Sequence, residues 1–312
     1  MKKLKIDLLS IVVPVYGCKN IIRELHKQIS EVLYKHEISF ELLFVNDGSL
    51  DDAWPTILEL SSEYSVIKGI NLSRNFGQHH AIAAGLDAAV GNWVVVMDCD
   101  LQDSPKEIIR FIEKASEGYD LVVGVRRDRK EKFINRVFSS TFYRVARYLS
   151  GMDISANIGN FGLYSRQVIN SIQSMRESGR PFGLMAVWVG YSRAEIFIEH
   201  ASRHSGESSY NFLKLLRLAT VSFVSFSDKL IITMAAVGFF VAAVSFFVAL
   251  FFLCKYLFFG VNVEGWLSLA ITILFSTGLI ISSIGIIGIY LARVYSDVKQ
   301  RPLYIVKDTT KN

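Results

Sequence analysis

Two uncharged runs near the carboxyl end limit what this chain can become. Residues 230–253 carry no charged side chain, and neither do residues 265–292. Each exceeds the roughly 20 apolar residues that a helix needs to cross a bilayer. A core helix of a globular protein can look alike, but two such runs in succession favour a membrane hairpin. They concentrate the 51% hydrophobic content and the mean hydropathy of +0.32. Lys229 precedes the first run, and Arg293, Lys299, Arg301, Lys307 and Lys311 follow the second. The connector, 254–264, holds only Lys255 and Glu264 as charged residues. The positive-inside rule then puts both ends in the cytoplasm, as a multi-pass protein of the inner (plasma) membrane.

The amino end, Met1-Lys2-Lys3-Leu4-Lys5, is basic, but Asp7 and a strand-like run follow without a cleavage pattern, so no signal peptide is expected. A net charge of +5, with much of the basic excess beside the apolar runs, suits an anionic leaflet and not nucleic acid. Cys18, Cys99 and Cys254 are too few and too scattered for a disulfide framework or a zinc site, in keeping with a reducing compartment.

Upstream of the runs, strand and helix patterns alternate. Residues 8–15, 40–45, 66–72, 93–97 and 121–125 read as buried strands. Helical spacing occupies 20–35, about 51–63, 78–89 and 105–117, with Asp51 and Asp52 at one amino end and Pro105 at another. Such alternation implies a doubly wound, mostly parallel sheet, in which ligands bind beyond the carboxyl ends of the strands. The polar motifs lie at those ends: Tyr16-Gly17, Asn46-Asp47-Gly48-Ser49, Ser73-Arg74-Asn75 and Asp98-Cys99-Asp100-Leu101-Gln102. No G-x-G-x-x-G follows a strand and no Walker loop occurs, which argues against dinucleotide and P-loop sites.

Asp98 and Asp100, two residues apart past a strand end, suit a hard divalent cation, Mg²⁺ or Mn²⁺, with phosphate oxygens completing its shell. Acidic pairs at strand ends are common as solvated loops, so the pair gains its meaning from the motifs around it. From Arg126 the chain turns basic, with Arg127, Arg129, Lys130, Lys132, Arg136, Arg144 and Arg147 among Phe133, Val137, Phe138, Phe142 and Tyr143. This reads as an amphipathic helix for a membrane surface or an anionic headgroup, a solvated charged face being the blander reading. Residues 212–226 read as a second interfacial helix. His79 and His80 read as packing or capping groups at a helix start.

The motifs Val12-Val13-Pro14-Val15-Tyr16, Val45-Asn46-Asp47-Gly48-Ser49, Leu72-Ser73-Arg74-Asn75-Phe76-Gly77 and Met97-Asp98-Cys99-Asp100-Leu101-Gln102-Asp103 occur in that order. With His204-Ser205-Gly206-Glu207-Ser208-Ser209-Tyr210, the paired apolar runs and Arg301-Pro302-Leu303-Tyr304-Ile305-Val306, they resemble family 2 glycosyltransferases of the polyprenyl-phosphate type. The resemblance implies a GT-A-type α/β catalytic domain at 1–210, a juxtamembrane helix at 211–228, a two-helix transmembrane hairpin at 229–293 and a cytoplasmic tail at 294–312. It implies inverting, metal-dependent transfer from a nucleotide sugar, UDP-linked, to undecaprenyl or another polyprenyl phosphate, by a homo-oligomer.

Pro14 and Tyr16 would then border the base, Asp47 would accept hydrogen bonds from base or ribose, and Asp98 would contact ribose or metal. Asp100 and Gln102 would hold the metal, Arg203 and Ser208 would lie in a segment closing over the diphosphate, and Arg126, Arg136 and Ser140 would take the acceptor phosphate. Asp98, Asp100 and Arg136 carry the catalytic expectation. The chain departs from the family pattern at Gly17-Cys18, Asn46, Asn157, Asn160 and Ser209. A processive polysaccharide synthase is disfavoured because no tryptophan follows an arginine as in Q-x-x-R-W. A noncatalytic nucleotide-sugar-binding or scaffold module is the reading from another class.

Overall fold

The computed structural model describes residues 4–126, 158–177, 181–198, 229–259 and 265–310. The chain divides into two compact units, one holding the sheet together with the segment from Arg301 onward, the other holding the two long helices. Arg126, expected to open a basic amphipathic helix, closes a strand instead, and the rest of that expected helix, 127–149, lies outside the described residues, as does the one expected at 212–226.

The first unit begins β1 (Leu9–Val15), α1 (Ile22–Lys35), β2 (Phe40–Asn46), α2 (Ala53–Glu63), β3 (Ile67–Leu72), α3 (Gln78–Ala88), β4 (Trp93–Val96), α4 (Glu107–Ala115) and β5 (Leu121–Arg126). It continues through β6 (Ile158–Ser165), α5 (Arg166–Ser174), α6 (Phe182–Trp188) and β7 (Arg193–Ile198), and β8 (Val306–Thr309) closes it. Sequence and structure differ by a residue or two at most ends. The helix expected from 51 starts at Ala53 because Asp52 takes a left-handed φ of 55° at its cap. The helix expected at 105–117 is shorter, Glu107–Ala115.

One eight-stranded sheet runs β7-β5-β6-β4-β1-β2-β3-β8. β4, β1, β2 and β3 are neighbours and parallel, with Leu9 opposite both Phe40 and Trp93. β6 runs antiparallel between β4 and β5, and β8 runs antiparallel beside β3. The central strands are β-branched and apolar because helices cover both faces. Leu9, Ile11, Val13 and Val15 face the core shared with Ile22, Leu25 and Ile29 of α1, Ile57 of α2 and Phe111 of α4. On the other face α3 packs so closely that a Cβ on Gly85 would stand 2.3 Å from Val12 Cγ1.

Part of the segment expected as a cytoplasmic tail joins the sheet. β8 pairs with β3, and Thr310 donates its N–H to the Gly69 carbonyl. Tyr304 donates to Asp87, which also accepts both terminal nitrogens of Arg176. Asp87 thereby joins α3, the segment just after α5 and the approach to β8.

The second unit contains α7 (Lys229–Phe259) and α8 (Trp266–Val298). Among the described residues one helical stretch, Phe275–Val298, is long and apolar enough to cross a membrane, with a mean hydropathy of 1.9. Ala235–Val248 is a shorter apolar stretch. Phe239, Phe240, Phe246 and Phe247 on α7 and Ile280, Ile281, Ile284 and Ile287 on α8 are exposed.

Candidate active site

Parallel strands of one sheet end at one edge, so their following loops meet there. The loops after β1, β2, β3 and β4 surround a cavity of about 420 Å³. Its walls include Pro14 near the end of β1 with Tyr16 and Cys18 from the loop after it, Asp47 from the second loop, Asn75 from the third with Gln78 opening α3, and Asp98, Cys99 and Asp100 from the fourth. Tyr16 stands at the rim, 52% exposed, whereas Asp47 is 3% exposed.

Asp47 braces two loops. Its two carboxylate oxygens accept the backbone N–H groups of Phe76 (2.7 Å) and Gly77 (2.9 Å). Burial raises its pKa above the usual aspartate value, against the opposing pull of those two amides, His80 and Arg74. Ser49 accepts the N–H of Gly17 at 2.8 Å and donates to Asp51, which in turn accepts the N–H of Lys19. Asn46 accepts the Ser49 N–H and donates to Asn71. The β1 and β2 loops are therefore tied by side-chain oxygens beside the cavity.

On the acidic side, Gln78 donates to Asp98 at 2.6 Å, and the N–H of Gln102 donates to Asp100 at 3.1 Å. Leu101 adopts a left-handed φ of 56° between Asp100 and Gln102, a conformation that costs a branched residue about 1 kcal/mol or more. Gln102 is not among the cavity-lining residues, although its amide orients Asp100. Gln78 escaped the sequence reading, as a lone glutamine opening a helix carries no motif. His79 accepts the N–H of Phe182, and His80 Nδ1 lies 2.8 Å from the Phe76 carbonyl, which places both rings in packing roles.

One expectation is corrected. Cys18 and Cys99 are joined in a disulfide, with Cα atoms 6.3 Å apart. Their separation of 81 residues suggested scatter, but β1 and β4 are adjacent parallel strands, so the loops after them abut. Cys254 is free and exposed.

The structure brings Pro14, Tyr16, Asp47, Asp98 and Asp100 to one cavity. Arg126 is the last residue of β5, paired in register with Ile198 at the end of β7. Arg136, Ser140, Arg203 and Ser208 lie outside the described residues.

A model of glycosyl transferase family 2 matches residues 10–173. The chain belongs to that family. This glycosyltransferase is 37% identical over 301 residues to an uncharacterised glycosyltransferase of Synechocystis, covering 96% of this chain and 95% of the relative. It is 34% identical over 300 residues to the bactoprenol glucosyl transferase of Shigella phage SfII, covering 96% and 97%. Its fold is similar to that of glucosyl-3-phosphoglycerate synthase from Mycobacterium tuberculosis, solved with Mn²⁺, UDP and phosphoglyceric acid. The TM-score is 0.51 at 17% identity, over 70% of this chain and 76% of that one. The GT-A-like, mostly parallel α/β architecture is thus shared.

The donor set at the acidic side consists of oxygen atoms. Asp98 and Asp100 both line the cavity, while the Cys99 sulfur between them is taken up in the disulfide. Among the described residues no three His, Cys, Asp or Glu side chains form a complete metal cage. Two carboxylates without a cage fit a divalent cation of the Mg²⁺ or Mn²⁺ kind, which keeps positions for water and phosphate.

Proposed function

We propose that this glycosyltransferase moves a sugar from a UDP-linked donor to polyprenyl phosphate, undecaprenyl phosphate in bacteria, at the cytoplasmic face of the membrane. The observation that carries the reading is the convergence of Tyr16, Asp47, Asp98 and Asp100 on one cavity at the carboxyl ends of four adjacent parallel strands. The bactoprenol glucosyl transferase relative, matched over nearly its whole length, supports a polyprenyl acceptor. Pro14 borders the base from the cavity wall and Tyr16 from the open rim. Asp47 keeps the rim and the β3 loop together and accepts hydrogen bonds from base or ribose. Asp98 and Asp100, with Gln102 behind Asp100, would hold a divalent ion beside the donor diphosphate. When bound, that ion neutralises charge on the departing nucleotide.

The acceptor is a lipid phosphate, already largely anionic at neutral pH because its second pKa is near ~6. An oxygen of that phosphate attacks the anomeric carbon from the face opposite the diphosphate. The carbon–oxygen bond to the nucleotide breaks and configuration inverts. No strong base is needed, so the protein's task is to position the phosphate. Arg126, Arg136 and Ser140 take that task, since a planar guanidinium fork matches phosphate oxygens. Arg203 and Ser208 cover the diphosphate. β5 and β7, which lead into those segments, end side by side at Arg126 and Ile198, and this supports the assignment.

The exposed apolar surfaces of α7 and α8 suit lipid, and we read both helices as membrane spans through which copies of the chain pack as a homo-oligomer. The test is chemical. Purified protein incubated with radiolabelled nucleotide sugars and polyprenyl phosphate is expected to give a chloroform-soluble sugar lipid, dependent on Mg²⁺ or Mn²⁺. Absence of labelled lipid with every donor refutes the reading.

A further inference from the structure

We propose that Cys18 and Cys99 form a reversible dithiol–disulfide latch across the donor cavity, which sets how tightly the cavity holds a nucleoside diphosphate with its divalent ion. The latch rests on the reading of this cavity as the donor site. Cys18 follows Tyr16-Gly17 on the β1 loop, and Cys99 lies between the two carboxylates on the β4 loop. Both residues line the cavity, so a small molecule entering it meets the sulfur pair although each residue is only 7% exposed. The β1 loop is itself anchored, since Gly17 donates to Ser49 and Lys19 to Asp51. The disulfide fastens the acidic loop to that anchored loop at the one residue between Asp98 and Asp100.

The consequence is preorganisation. Beyond Cys99 the acidic loop passes through the left-handed Leu101, held locally by the Gln102-to-Asp100 hydrogen bond. With the latch closed, Asp98 and Asp100 keep their cavity-facing positions before any ligand arrives. With it open, binding must order the loop, and fixing about one residue's backbone weakens affinity roughly tenfold. By linkage, nucleotide and ion shift the thiol–disulfide equilibrium toward the disulfide by the same factor. In a reducing compartment such a bond is transient and regulatory.

The oxidant is a low-molecular-weight disulfide. A thiolate of one cysteine attacks it, its sulfur–sulfur bond breaks, and one small thiol leaves as a mixed disulfide forms. The second cysteine then attacks the protein sulfur of that mixed disulfide, closing Cys18–Cys99 and releasing the second small thiol. Two protein thiols are oxidised, one small disulfide is reduced, and the two protons end on the released thiols.

The experiment uses the full chain in detergent in a Cys254→Ser background, equilibrated with reduced or oxidised glutathione. Peptide mapping reads the Cys18–Cys99 link, and calorimetry reads UDP affinity with Mn²⁺. The oxidised form is expected to carry the link and to bind about tenfold more tightly. Cys18→Ser and Cys99→Ser are each expected to bind identically under both conditions. Absence of the linked peptide, or equal or weaker UDP affinity in the linked form, overturns the latch. If the link forms and UDP binds in neither state, the donor-site reading itself fails and takes the latch with it.

Discussion

Gly48 is where the wall of the cavity can be tested by one methyl group. It sits in the β2 loop at a φ of +64°, beside the β3 loop. A Cβ there would lie 2.5 Å from the Asn75 nitrogen and 2.6 Å from the Arg74 carbonyl carbon, both backbone atoms that cannot rotate aside. Ordinary contact begins near 3.4 Å, so in Gly48→Ala one loop must retreat by about 0.9 Å. At least one of the neighbouring Asp47 bonds to Phe76 and Gly77, at 2.7 and 2.9 Å, would then stretch beyond hydrogen-bond range. The left-handed backbone costs alanine about 1–2 kcal/mol. Losing one charge-assisted hydrogen bond adds about 1.5–3 kcal/mol. The variant is therefore expected to lose about 2.5–5 kcal/mol, a fall of roughly 5–20 °C in the first thermal transition for a domain of this size. Gly118→Ala is the control: its φ is +107°, but nothing lies within 4 Å of its added Cβ. It meets backbone strain alone, on the order of 1–2 kcal/mol. Equal losses in the two variants would refute the claim that the β2 and β3 loops form a rigid wall at Asp47.

Other expectations concern separate parts of the molecule. His26 is buried against Tyr64, and burial lowers its pKa although Glu63 opposes the shift. Its neutral form is favoured in the fold, so this stability is complete above the unfolded value near ~6.5 and is lost as pH falls below it; melts in acid should show the loss, and His26→Phe should flatten it. Glu41 is pushed upward by burial, but Lys68, Ser10 and the Val90 amide together hold it below the usual range, and Glu41→Ala should cost about 2–4 kcal/mol in a thermal melt. Tyr304→Phe removes the hydroxyl donor to Asp87, and amide exchange at Thr310 should accelerate by roughly tenfold or more if that bond holds β8 in place. Asp100→Asn, or chelation of divalent ions, should abolish sugar-lipid formation while leaving the thermal transition of the catalytic unit nearly unchanged.

The cavity's walls were legible in sequence because their residues end or directly follow strands whose apolar, β-branched runs are unmistakable. Pro14, Asp47 and Asp98 lie within a few residues of buried strands, and neighbouring parallel strands carry them to one edge. What sequence did not show depends on partners far along the chain. β6 contains Gly159, Asn160 and Gly162, which blur its strand pattern; its place is set by pairing with β4 and β5. β8 reads VKDT, too short and polar to stand out, and becomes a strand because β3 offers an open edge. The contact of Cys18 with Cys99 followed only from strand order, which alternation leaves open.

The antiparallel insertion of β6 decides what borders the acidic loop on the side away from β1. Val96, the last residue of β4, pairs with Gly162, and Val125 of β5 pairs with Ile158. Because β6 runs opposite to both, its amino end lies at the same edge as the carboxyl ends of β4 and β5. Asn160 and Phe161 thus continue past the last paired residue of β4, on the side of the acidic loop away from Tyr16 and Asp47. Phe161 is fixed by edge-to-face packing on Phe111, and the Asn160 carbonyl accepts from the Tyr164 hydroxyl, so this stretch has a set position. Asn160, which departs from the pattern that the motifs resemble, falls in it, whereas Asp98 and Asp100 are held from below by β4. Substitution along β6 can therefore alter what borders the acidic loop while the carboxylates keep the place that β4 gives them.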